Sequence, residues 1–321
     1  MAEHFCLAVH GGAGLFLDDA EKSERGRAQL SALATALAAG IAKLRASESA
    51  LSAVIAAVEV LEDAADFNAG RGSVLRSDGG VEMDASIMCG DSGRAGAVAG
   101  VRTLSHPVAA AGLLLEADAE VLLYGAAADA RGAAAGLATR PREYFVTANR
   151  RTQWLRAQAR GGVRLEYESS QLHGGRPTAD PSGAGQTVGA VALDRHGHLA
   201  AATSTGGLTN APSGRVGDSP IIGAGTWAGS ICAISATGDG EKFVRAAFAH
   251  DIHARMEYGG QALHVAADAA LSHVTALGGA GGCVAIDHLG RVAMPFTTPG
   301  MARACENHRG ERLVALLPRA R

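Results

Sequence analysis

Aromatic side chains are scarce in this chain. They make up 4% of its 321 residues, so the core has to be built from Ala, Val, Leu and Ile. Charge of one sign is lacking too: 32 acidic against 29 basic residues leave a net charge of -3, with no basic stripe. That removes the electrostatic reason to expect nucleic acid or an anionic membrane as partner. The five cysteines, Cys6, Cys89, Cys232, Cys283 and Cys305, contain no Cys-x-x-Cys pair. A zinc ribbon or a disulfide framework is therefore not indicated, and reduced thiols in a cytosolic setting fit best. No stretch of about 18 uncharged apolar residues occurs, and Met1-Ala2-Glu3-His4-Phe5 lacks the basic-then-apolar order of an export signal. A soluble, unexported, cytoplasmic protein is expected.

What the chain does have is small residues and turns, with 43 glycines in a sequence that is 47% hydrophobic. Phe5 to Val9 reads as a buried strand feeding a glycine loop, His10-Gly11-Gly12-Ala13-Gly14. Glu21 to Arg45, and then Leu51, Val54, Ile55, Val58 and Leu61 at helical spacing, predict two amphipathic helices. Strands are expected over Val81 to Met88 and Ala95 to Val101, and helices over Pro107 to Ala117, Ala119 to Ala135 and Arg150 to Gln158. From Gly161 the pattern degrades into Gly174-Gly175-Arg176-Pro177 and Asp180-Pro181-Ser182-Gly183, the composition of a solvated linker over about residues 161–186. Hairpins follow around Asp194 to His198 and Asp287 to Gly290, with strand-like runs at Ile221 to Trp227 and Ile231 to Ser235. Helical stretches are expected over Glu241 to Tyr258 and Ala262 to Ala276. Hairpins bracketed by helix pairs indicate an α+β protein with antiparallel-rich sheets and helices outside. Residues 1–186 and 187–321 each hold too few strands for a core of their own, so both are expected to build one domain.

The residue that opens the second part is Thr187, placed after the His173 to Gly185 linker and before the strand-like Val188 to Asp194. An isolated threonine at a strand start is ordinarily structural. One that follows a cleavable linker is also where a chain that cuts itself would expose a new N-terminus, with the hydroxyl as nucleophile. The freed α-amine, of pKa roughly 7.7–8.0, would be the base. Further polar residues fall at strand ends: Thr205, Arg215 with Asp218, and Thr237-Gly238. A guanidinium beside a carboxylate suits a ligand carrying both a carboxylate and an amine, although an ordinary loop ion pair would look the same.

The runs His10 to Gly14, Phe67-Asn68-Ala69-Gly70, Thr187 to Asp194, Thr203-Ser204-Thr205-Gly206-Gly207, Gly214 to Pro220 and Gly278 to Gly282 together resemble the plant-type asparaginase and isoaspartyl peptidase family. The likeness covers the chain from Leu7 to about Ala304. It implies an N-terminal-nucleophile hydrolase, an αββα sandwich, self-cleavage between Gln186 and Thr187, and two such cleaved pairs assembling. By the same resemblance Thr187 is the nucleophile, Thr205 sets its protonation, and Thr237 Oγ with the Gly238 N–H forms the oxyanion hole. Arg215 grips the substrate α-carboxylate, Asp218 with the backbone near Gly238 and Gly240 holds the ammonium, and Asn68 reaches in from the first part. The implied substrates are L-asparagine and β-aspartyl dipeptides. No cofactor is needed for catalysis, but a structural sodium ion is implied on the backbone carbonyls of Leu61, Glu62, Ala64, Phe67, Ala69 and Arg71.

Gln186 departs from the family pattern, which has Gly there, or Asp in the glycosylasparaginase branch. Attack on the preceding carbonyl needs a strained backbone or a nearby carboxylate. Gln offers neither as well, so cleavage is expected to be slow. Ala211 stands where relatives have Lys, and Ser213 reads as an insertion at the pocket rim. A glycosylasparaginase-like amidase and an uncleaved amino-acid-binding pseudoenzyme stay open as alternatives. Gly90-Asp91-Ser92-Gly93 resembles the surroundings of a chymotrypsin-like serine but lacks the companion motifs. Gly223-Ala224-Gly225-Thr226-Trp227-Ala228 fits a dinucleotide fingerprint in letters, yet a strand is expected after it in place of the phosphate-holding helix. His250 and His253 lack a third metal ligand nearby, and His10 reads as a core histidine.

Overall fold

The computed structural model describes residues 4–14, 16, 19–160 and 187–318; the cleavage position Gln186 and the predicted linker lie outside them. Twelve strands and nine α-helices are formed among these residues. The helices begin where polar caps stand. Ser23 Oγ accepts the Gly26 N–H at 2.9 Å to start α1 (Glu24–Arg45), and Ser49 Oγ accepts from Ser52 at 3.2 Å to start α2 (Ala50–Asp63). Their buried stripes, Leu33, Leu37, Ile41 and Leu44 on one and Val54, Val58 and Leu61 on the other, meet closely because Gly40 has no side chain. A Cβ there would lie 2.5 Å from Leu7 Cδ2 and 2.8 Å from the Ala53 carbonyl. Pro107 opens α3 (Pro107–Ala117) at a position that needs no N–H.

The strands β1 (Cys6–Gly14), β2 (Met83–Cys89), β3 (Ala95–Val101), β4 (Leu122–Tyr124), β5 (Val188–Leu193), β6 (Leu199–Thr205), β11 (Gly300–Asn307) and β12 (Arg312–Ala315) form one sheet. Its order is β12-β11-β1-β5-β6-β2-β3-β4. A second sheet, β10-β9-β8-β7, holds β7 (Thr226–Ala228), β8 (Cys232–Gly238), β9 (Gly281–Asp287) and β10 (Val292–Ala293). All pairings are antiparallel except β3 with β4.

Strand alternation sorts the side chains into layers. Leu7 and Val9 of β1, Ala190 and Ala192 of β5, and Ala200 and Ala202 of β6 pack toward α1, α2 and α3. Their neighbours Ala8, Val191, Leu193 and Ala201 instead meet Ala233, Val284 and Ile286 of the smaller sheet. On that sheet's far side Ile234, Ala236 and Cys283 pack on α7 (Gly240–Ala246), α8 (Phe248–Glu257) and α9 (Leu263–Ala276). The α+β layering implied by the resemblance is therefore present, as helices, two facing sheets, and helices.

Several expectations are corrected. His10 to Gly14 is no loop: β1 runs through it with a bulge between His10 and Gly12, and Gly12 takes φ +105°. Ala119 to Ala135 is divided into the exposed edge strand β4 and the helix α4 (Ala126–Ala134). Glu241 to Tyr258 breaks at Ala247, whose φ is +45°. That single left-handed residue resets the helix so that Phe243 and Phe248 both turn inward, with ring centroids 4.6 Å apart. Only residues 226 and 227 of the run 221–227 are strand. A short helix α5 (Arg142–Phe145) precedes α6 (Ala148–Arg160), and β11 and β12 had no sequence counterpart.

Candidate active site

The same alternation that sends Ala190 and Ala192 to the helices turns Thr187, immediately ahead of β5, and Thr205 of β6 toward the inter-sheet layer, which Thr237 of β8 borders from the other sheet. Thr187 Oγ1 donates to Thr205 Oγ1 at 3.1 Å. Thr205 is held in turn by the Gly207 N–H at 3.1 Å, from the turn just past β6 where Gly207 adopts φ +79°. Thr237 is buried, and its Oγ1 accepts the Ala13 N–H of β1 at 3.4 Å. Gly238 is boxed in: a Cβ would sit 2.4 Å from the Ala280 carbonyl.

Asn68 lies here, and its side-chain hydrogen bonds go to groups other than Thr187. Its Nδ2 donates to Gly207 O at 2.7 Å and its Oδ1 accepts from Val74 N at 2.9 Å. Its part is to hold the segment after Thr205. His10 Nε2 lies 2.9 Å from Ser235 Oγ, Ser235 Oγ lies 2.7 Å from Thr203 Oγ1, Thr226 Oγ1 donates to Thr203 Oγ1 at 2.5 Å, and Ser86 Oγ donates to Thr226 Oγ1 at 2.8 Å. Burial pushes the His10 imidazole down to about 3, against the opposing effect of the neighbouring Thr187 main chain. It is a neutral core histidine at the back of the site and not a base.

The loop from Gly214 to Pro220 brings Arg215 and Asp218 to Gly240. A Cβ on Gly240 would meet Asp218 Oδ1 at 2.8 Å and Arg215 Nη2 at 3.0 Å, so glycine leaves the space between the two charges open. The expected Arg215–Asp218 pair is corrected in one respect. Arg215 makes its two parallel bonds, Nε at 2.9 Å and Nη2 at 2.8 Å, to Glu241. Asp218 stays beside the guanidinium without a direct bond to it, and its Oδ2 is buried with no hydrogen-bond partner among the described residues. Burial raises the Asp218 carboxyl to about 7, against the pull of Arg215 and with help from Glu241 and Asp84. Sequence reasoning missed Glu241, although its place at the start of the helix after Thr237-Gly238 was a usable signal.

The chain segment from Leu61 to Arg71 turns tightly. The Ala64, Phe67 and Arg71 N–H groups donate to the carbonyls of Leu61, Ala64 and Glu62 at 3.3, 3.1 and 2.7 Å. Glu62 itself is fully buried, with Oε1 accepting from Ser204 at 2.6 Å and Val108 N at 3.1 Å. Burial lifts its pKa well above the ordinary range.

The rival motifs lie elsewhere. Ser92 sits on an exposed turn, and the Gly223 to Ala228 run leads into strands β7 and β8. His250 and His253 pack around Trp227, with ring centroids at 4.7 and 5.4 Å. No group of three or more His, Cys, Asp or Glu able to hold a metal occurs among the described residues. No helix among them is long and apolar enough to cross a membrane.

The asparaginase family model matches residues 3–315. The chain belongs to the asparaginase family. Relatives in this family include the isoaspartyl peptidases of Salmonella typhimurium, 44% identical over 93% of this chain and 94% of that protein, and of Escherichia coli, 45% identical over 93% and 91%. A probable isoaspartyl peptidase/L-asparaginase of Arabidopsis thaliana is 38% identical over 97% and 98%. The likeness thus spans both parts of the chain, on either side of position 187.

Proposed function

We propose that this protein is an N-terminal threonine hydrolase that removes β-aspartyl residues from dipeptides and converts L-asparagine to L-aspartate and ammonia. The observation that carries the reading is the Thr187–Thr205 hydroxyl contact at 3.1 Å, with Arg215 and Asp218 brought together at Gly240. Family membership and the names of the relatives support it.

In this reading Thr187 Oγ first takes over the Gln186 acyl group from its own nitrogen and water hydrolyses the resulting ester, giving residues 1–186 with a new carboxylate and 187–321 with a free Thr187 amine. Thr187 Oγ attacks the side-chain amide or isopeptide carbonyl while that amine takes the hydroxyl proton and returns it to the departing nitrogen. The result is a β-aspartyl ester on Thr187, which water then hydrolyses. Thr237 Oγ and the Gly238 N–H receive the developing oxyanion, an arrangement typically worth about 2.7–4 kcal/mol per donor. Arg215 takes the α-carboxylate through the guanidinium edge that Glu241 leaves open, and Asp218 takes the ammonium with the backbone near Gly238 and Gly240.

Apart from substrate and water, every group in that sequence belongs to the protein. The proposal extends to a sodium ion held by the carbonyls of Leu61, Glu62, Ala64, Phe67, Ala69 and Arg71. The three of these that already accept an N–H each keep a second lone pair, and carbonyl oxygen suits a hard cation. It extends also to a cytoplasmic enzyme in which two cleaved pairs assemble.

A denaturing gel and the intact mass of the purified protein test the reading. Two fragments are expected, the smaller beginning Thr187-Val188. Thr187→Ala should abolish both scission and turnover, lowering kcat by roughly 10⁴-fold or more. A single full-length chain with full activity overturns the proposal.

A further inference from the structure

Arg76 has no part in the assignments above, yet it is completely buried and stands between the two halves of the site. It opens the turn over residues 76–80, where its N–H donates to Gly80 O at 2.9 Å, and its guanidinium reaches in two directions. On one side it is pressed against Gly207: a Cβ there would lie 2.5 Å from Nη1 and 2.8 Å from Cζ and Nη2. On the other, Nε is 3.4 Å from Glu82 Oε2 and Nη2 donates to the Glu82 main-chain carbonyl at 3.2 Å. The Glu82 carboxylate also accepts the Gly214 N–H at 2.7 Å and Arg102 Nη2 at 2.5 Å.

Each contact leads to the chemistry. Gly207 is the donor to Thr205 Oγ1, and Gly214 immediately precedes Arg215. Taking a guanidinium wholly out of water is costly unless its surroundings compensate it. Here the compensation comes from Asp84 and from Glu82, with Arg215 opposing; Nε faces Glu82 as an ion pair without a hydrogen bond, and Nη1 likewise finds no hydrogen-bond partner among the described residues. A planar fork can press on one loop and grip another at once, which a lysine ammonium cannot.

We infer that Arg76 is a positioning residue that fixes the Thr205–Gly207 segment against the Gly214–Asp218 segment, with Glu82 as the link to the latter. This rests on the functional reading above. Because Arg76 touches Gly207 directly, its loss acts on the nucleophile's support and therefore on kcat. Glu82 touches Gly214 directly, so its loss acts on the substrate loop and therefore on KM.

The test compares Arg76→Met, Arg76→Lys and Glu82→Gln with the parent on a β-aspartyl dipeptide, with folded fraction measured by circular dichroism. Arg76→Met is expected to lower kcat of the folded enzyme about tenfold or more with KM within about threefold, and Glu82→Gln to do the reverse. Arg76→Lys, which keeps the charge and loses the fork, should fall between Met and parent. Parental kcat in folded Arg76→Met overturns the inference, as does a loss in both variants that merely tracks the unfolded fraction. If Arg76→Met does not fold, Arg76→Lys decides alone: a kcat about threefold or more below the parent supports the inference and parental kcat overturns it. An uncleaved, inactive parent or an active Thr187→Ala variant would instead sink the functional reading, whatever Arg76 does.

Discussion

Replacing Asp218 by Asn should make the protein more stable and a poorer enzyme at the same time. The Asp218 carboxyl is raised from 3.8 to about 7, chiefly by burial, and that gap corresponds to about 4 kcal/mol. The folded protein holds the proton more tightly than the unfolded chain. The stabilisation this gives is therefore fully present below 3.8, is lost as pH rises toward the folded-state value of about 7, and is absent above it. Asn carries no charge and escapes the loss. Near pH 8 the variant should outlast the parent in denaturant by up to about 4 kcal/mol, and near pH 4 the two should converge.

Activity moves the other way. A charge-assisted bond to the substrate ammonium is worth about 1.5–3 kcal/mol, so KM should rise roughly 10- to 150-fold. The pH profile separates this from a general defect. In the parent both Asp218 and the Thr187 amine must lose protons, so log kcat/KM below about pH 6.5 should climb with a slope near 2. In the variant only the amine remains, and the slope should be near 1. Equilibrium unfolding at several pH values and steady-state kinetics on a β-aspartyl dipeptide measure both effects. A variant with parental stability near pH 8 and an unchanged slope refutes the assignment of Asp218 as a strained, substrate-holding carboxylate.

Thr205→Val keeps the shape but removes the oxygen that both Thr187 Oγ1 and the Gly207 N–H contact; at about 1–3 kcal/mol, kcat should fall roughly 5- to 150-fold with KM little changed, read by steady-state kinetics. Ala247→Gly relieves the left-handed backbone at φ +45° on an exposed residue and should raise unfolding free energy by about 0.5–1 kcal/mol in urea titration. Exchanging sodium for choline in the buffer should lower the melting temperature if the carbonyls of residues 61–71 bind the ion, and Tm should then depend on sodium concentration.

Much of the layout was legible because alternation and helical spacing are strong where segments are long. Leu33 to Leu44 and Val54 to Leu61 declare buried faces, and Thr187, Thr205 and Thr237 are conspicuous as polar residues at the ends of small-residue strands. Signals failed where tertiary contacts override local preference. β4 is a three-residue exposed edge whose Leu122-Leu123-Tyr124 carries no alternation, and Ala247 kinks a helix that its own composition would continue. The glycines of β1 look like loop residues, yet Gly11 is needed because a Cβ would fall 2.2 Å from the Phe67 ring. Within the site, the pairing of Arg215 with Glu241 and the burial of Arg76 depend on which loops fold together, and spacing along the chain carries no trace of that.

The order of the large sheet has a consequence for how the two parts of the chain depend on each other. Read across β12-β11-β1-β5-β6-β2-β3-β4, strands from before and after position 187 alternate in blocks, leaving three ladders, β11 with β1, β1 with β5, and β6 with β2, that stitch one part to the other. Neither part owns a contiguous stretch of more than three strands of this sheet, although the smaller sheet lies wholly after position 187. Severing the backbone ahead of Thr187 would leave those rungs intact, so a nicked molecule would stay whole, whereas the first piece made alone would have broken sheet edges under α1, α2 and α3, and the second would keep the smaller sheet with its helices but leave its inner face without a complete partner sheet.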